Sequence, residues 1–99
     1  MTLERIRWLR DDFSDEIPPT ILHGSGDFKV RRMWWQGVIG DIDLALLLDN
    51  GVVPKELIPE ARIFLKKYQT EEFRGKARIS RADIDEANEL LDKILGRTA

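Results

Sequence analysis

Between Ile79 and Gly96 the sequence carries the full set of signals for one capped amphipathic helix. Ser80 is a strong N-cap residue, and Asp83 and Asp85 put negative charge in the first turn, where the helix dipole favours it. Ile79 and Ile84 stand at the spacing of a hydrophobic staple. Ile84, Ala87, Leu90, Leu91, Ile94 and Leu95 then fall on one face at a period of 3.6, and Gly96 follows as the C-terminal glycine. A helix over 81–95 with one apolar stripe must bury that stripe against something else in the chain.

Two further segments can supply the opposing face. Leu57, Ala61, Phe64, Leu65 and Tyr68 share one helical face, which predicts a helix over 57–70 provided that Pro59 lies in its first turn. Asp41 can cap a third helix over 41–49, whose nearly continuous apolar run predicts a central, well-buried element with Asn50-Gly51 as its exit. Upstream, Leu3, Ile6, Leu9 and Phe13 suggest a short amphipathic helix that leaves Trp8 on its far side. Pro18-Pro19 calls for extended chain, after which Thr20–His23 and Phe28–Trp35 resemble two strands joined at Gly24-Ser25-Gly26-Asp27. The expected fold is α+β and helix-dominated: a short N-terminal helix and one β-hairpin packed on three α-helices, as a single domain over 1–99.

With 99 residues and 42% hydrophobic content the chain can bury a core without staples, and having no cysteine it forms no disulfide and no thiolate metal site. Met1–Arg10 lacks the apolar stretch of a secretory signal, and the longest apolar run, Leu44–Leu48, is far short of the ~20 residues that span a bilayer. A cytoplasmic protein with no membrane partner is expected.

No constellation for catalysis emerges. His23 is the sole histidine, with Ser25 two residues on in a glycine pair and no third group to orient it. Gly24-Ser25-Gly26 is too short for a phosphate loop and is followed by expected strand, not helix. Asp41 and Asp43 read as capping acids; Asp83, Glu86 and Glu89 read as a solvated helix face, with no calcium-loop spacing. No catalytic residue, cofactor or metal ligand is assigned, and the chain is expected to be non-enzymatic.

Basic and aromatic residues remain. Arg62–Arg81 holds seven basic residues against two acidic ones, with Arg74, Lys76, Arg78 and Arg81 uninterrupted by an acid, whereas Ala82–Gly96 has five acids against Lys93. A second basic group, Lys29, Arg31 and Arg32, precedes Met33-Trp34-Trp35. In a strand the two tryptophans point to opposite faces, so one is expected outside. Tryptophan is enriched at interface hot spots. These features favour an interaction or adaptor module that binds a protein partner, or itself as a homo-oligomer, through Trp8, Lys29, Arg31, Met33 and Trp35. The alternative is a nucleic-acid-binding protein using Arg74, Lys76, Arg78 and Arg81 with Lys29, Arg31 and Arg32, a reading weakened by the net charge of −2.

Ala77–Ala87, with Ile79, Ser80, Asp83, Ile84 and Ala87 in order, resembles the opening of the last helix in histone-like folds and ATPase lid domains. The resemblance covers about a tenth of the chain and has no counterpart in the first half. It implies no more than a stapled, capped helix, and no residue role is carried over from it.

Overall fold

The computed structural model describes residues 2–13, 25–48, 51–71 and 80–97. Four α-helices occur there: α1 (Leu3–Arg7), α2 (Ser25–Leu48), α3 (Ile58–Tyr68) and α4 (Arg81–Ile94). A π-helical turn, Trp8–Phe13, continues α1, and a 3₁₀ turn, Lys55–Leu57, leads into α3.

The expected β-hairpin is absent: there is no strand among the described residues, and Phe28–Trp35 lies inside the 24-residue helix α2. Thr20–His23, the other expected strand, lies outside the described residues. The packing explains the correction. Successive helical residues are about 100° apart, so Trp34, Trp35, Val38, Ile42 and Ala45 all fall within one arc of α2. All five are buried, whereas a strand would have turned one of the two tryptophans outward. The expected helix at 41–49 is therefore the end of a longer one. Asp41 caps nothing; it sits within α2 and accepts a hydrogen bond from Arg5 Nε at 2.8 Å.

α4 and α3 match their sequence patterns closely. At the start of α4 the Ser80 hydroxyl accepts from the Asp83 amide and the Asp83 carboxylate accepts from the Ser80 amide, completing a capping box. Ala87, Leu90, Leu91 and Ile94 are buried, with Ile84 and Leu95 packed on the edge of the core. In α3, Pro59 occupies the first turn, and Ala61, Phe64, Leu65 and Tyr68 are buried. The centre of the core is aromatic. Trp35 meets Tyr68 edge-on at 4.8 Å between centroids and Phe64 at 5.6 Å, and Trp34 lies 6.3 Å from Trp35.

Ile6 and Leu9 seat α1 and the π turn on α2. A methyl group added at Gly37 would lie 3.4 Å from Leu9 Cδ2, so the glycine lets the two segments approach closely. The Leu9 carbonyl accepts a hydrogen bond from Trp34 Nε1 at 2.5 Å. Arg10 makes a two-pronged contact with Asp92, 2.8 and 3.2 Å, and Arg97 donates to Asp11 at 2.6 Å. That guanidinium holds the Asp11 carboxyl below the usual carboxylate range. Lys93 joins Glu60 at 2.7 Å and Lys67 joins Glu86 at 3.1 Å, bracing α4 against α3.

Gly51 and Gly96 take φ of 77° and 75°, which other L-residues adopt at a cost. No atom lies within 4 Å of a methyl group built at Gly51, so Gly51→Ala isolates the backbone term. A loss of about 1–2 kcal/mol is expected in urea unfolding; an unchanged midpoint would show that the turn relaxes.

Candidate functional site

The aromatic–basic surface expected from the sequence loses its main anchor. Trp35 is 2% exposed at the centre of the core, so it cannot anchor a partner, and the hairpin face that was to carry it does not exist. Trp34 is buried beside it. Trp8 is half-buried at the rim of the core, with the Arg5 guanidinium 4.5 Å above its ring. Lys29, Arg31 and Arg32 lie on the N-terminal half of α2, but their side chains are outside the described set. Met33 is exposed, as an interface residue must be. Arg74, Lys76 and Arg78 lie outside the described residues, as do His23 and Gly24; Arg81 opens α4. Ser25 and Gly26 form the first turn of α2 rather than a hairpin turn.

Several acidic residues are bound up in the fold. Asp83 and Glu86 both accept from the Tyr68 hydroxyl, the former at 3.0 Å, and Glu86 also holds Lys67. Burial, and then the hydrogen bonds to the two carboxylates that share its one hydrogen, push the phenol's pKa far above the ordinary tyrosine value. Asp41, Glu60 and Asp92 each receive a basic side chain from another segment. Among the described residues no group of three histidine, cysteine, aspartate or glutamate side chains could hold a metal ion, and no helix is long and apolar enough to cross a membrane.

The unexpected feature is the outer face of α2. The run 42–48 was expected to belong to a central, well-buried helix. Ile42 and Ala45 are buried, but Leu44 is 43%, Leu48 56% and Leu47 76% exposed, and Met33, about three turns before Leu44, is 64% exposed. By helical angle Met33, Gln36, Gly40, Leu44 and Leu47 lie along one exposed stripe opposite Val38 and Ile42, with Leu48 at its edge, and no charged residue falls within it. Gly40 leaves a gap in its middle, with nothing within 4 Å of an added methyl group. The sequence signal was the 3-4-4-3 spacing of 33, 36, 40, 44 and 47, which becomes visible only once α2 is a single helix.

Behind this stripe an open groove of about 580 Å³ runs between α2 and the start of α3, floored by Leu46, Val53 and Ile58 and edged by Lys55 and Arg62. On the outer side of α3, Arg62, Ile63 and Lys66 are exposed, and the two cations make no ion pair among the described residues. Comparison with protein families, curated proteins and solved structures gives no match.

Proposed function

We propose that the chain is a small non-enzymatic interaction module, an adaptor that binds a protein partner or a second copy of itself through the outer face of α2. The observation that carries this reading is the exposure of Met33, Leu44, Leu47 and Leu48 along one uncharged helical stripe. Burying one such side chain gains roughly 1.5–3 kcal/mol, and contiguous exposed apolar surface is a mark of interaction sites. Met33 is retained from the surface expected from sequence, and the leucines of α2 take the place given to Trp35. A cytoplasmic setting is part of this reading.

Leu47→Glu tests the reading. Leu47 is 76% exposed, so the substitution should move the melting temperature of the isolated chain little. It should weaken capture of a bound protein, or self-association, at least tenfold, because it buries an unpaired charge in the contact. Unchanged binding with an intact fold rules this surface out.

A second reading, nucleic-acid binding, draws support from the exposed Arg62 and Lys66, which make no ion pair among the described residues, and from the basic residues between 74 and 81 of the sequence. It predicts a mobility shift at low salt that weakens steeply as salt rises. No shift at low salt would remove it.

A further inference from the structure

We infer that the occupant of the α2 face is a second copy of this chain, paired antiparallel about a two-fold axis that passes beside Gly40. This deepens the interaction reading and rests on it. The stripe is self-complementary about that residue: Met33 stands seven positions before Gly40 and Leu47 seven positions after it. A two-fold pair is isologous, so the long side chain of Met33 on one copy packs against Leu47 of the other, and the reverse. Leu44 covers the aliphatic stem of Gln36 in the same way. At the axis two glycines meet, and the open space over Gly40 lets the backbones approach while the larger residues close the ends.

Positions 33, 36, 40, 44 and 47 are spaced 3-4-4-3, a pattern that reads the same in both directions from Gly40, and all five are exposed on one side of α2, so an antiparallel copy meets them in register. The area is sufficient for a modest dimer. The exposed side chains of the stripe present on the order of 500 Å² per copy, so pairing that covers them fully removes at most roughly 1,000 Å² in total, the lower bound for a specific interface. The stripe contains no like charges to repel across the axis. A concentration-dependent dimer follows, rather than an obligate one.

The chain has no cysteine, so single cysteines report the geometry cleanly. Met33 and Leu47 are separated by about 21 Å along the helix, whereas a disulfide requires Cα atoms within about 7 Å. Under mild oxidation Gly40→Cys should cross-link with itself. Met33→Cys mixed with Leu47→Cys should give the mixed dimer, while neither should cross-link alone beyond an Arg62→Cys control. All three positions are exposed or open, and circular dichroism checks that each variant folds. Light scattering of the unmodified chain should rise from 11.5 kDa towards twice that with concentration, and Leu47→Glu should hold it at the monomer mass.

Self-cross-linking of Met33→Cys and of Leu47→Cys, without the mixed product, would mean a parallel pair and overturn the arrangement. A monomer at all concentrations with no cross-link above control would overturn the second-copy assignment. If Leu47→Glu then still abolishes binding to a different protein, the interface reading survives its loss; if it abolishes nothing, both fall.

Discussion

Replacing Trp35 by alanine is expected to destabilise the fold by about 3–5 kcal/mol, the range for emptying a large aromatic site in a packed core. Trp35 is 2% exposed and contacts Trp34, Phe64 and Tyr68, so α2 and α3 share it as a common packing surface. A domain of this size has a total stability of roughly 5–15 kcal/mol, so the loss is a large part of the whole. Urea unfolding followed by far-ultraviolet dichroism measures it. A loss under 1 kcal/mol would mean that Trp35 faces solvent and that the register of α2 is wrong. Met33→Ala provides the contrast: at 64% exposure it should shift stability by no more than about 0.5 kcal/mol.

The second large effect is alkaline. Tyr68 is buried with its hydroxyl on two carboxylates, so its folded pKa is raised above the unfolded value of about 10. The protonated phenol is retained by the folded chain while the unfolded chain gives its proton up. The stabilisation is therefore fully present below pH 10 and falls by about 1.4 kcal/mol per pH unit above it. Unfolding free energies measured between pH 7 and pH 11 should show this slope, and Tyr68→Phe should flatten it by that amount. The same variant should also cost about 1–2 kcal/mol at neutral pH, since Asp83 and Glu86 lose their shared donor. Identical slopes in the two proteins would mean that the phenol ionises freely.

What could be read from the sequence follows the range of the signals. α4 is specified within its own residues: Ser80 and Asp83 cap it, six apolar residues form its stripe, and Gly96 ends it. α3 is nearly as legible, because Pro59 permits only one place for the helix to start. α2 is not. Read alone, Phe28–Trp35 is aromatic and β-branched enough to suggest a strand. Its helical nature becomes clear only when Trp34 and Trp35 are read together with Val38, Ile42 and Ala45. Burial of that arc against α1, α3 and α4 overrides the local preference. The α2 stripe was hidden for a related reason. A continuous apolar run such as Leu44–Leu48 does not say which side its own chain will cover, and only the placement of α3 and α4 leaves Leu44, Leu47 and Leu48 outside.

The contacts of the π turn have a consequence for biosynthesis. Arg10 and Asp11 find their partners in Asp92 and Arg97, and Asp11 and Arg97 are 86 positions apart. A five-residue helix such as α1 cannot hold its shape unaided. On a ribosome adding about 5–20 residues per second, the first turns of the chain would therefore wait roughly 4–17 s for the residues that clasp them. α1 and the π turn can dock on α2 as soon as it is made, but their ion-pair clasp is completed only after α4, and during that interval Arg10 and Asp11 stand open to chaperones or to a neighbouring nascent chain.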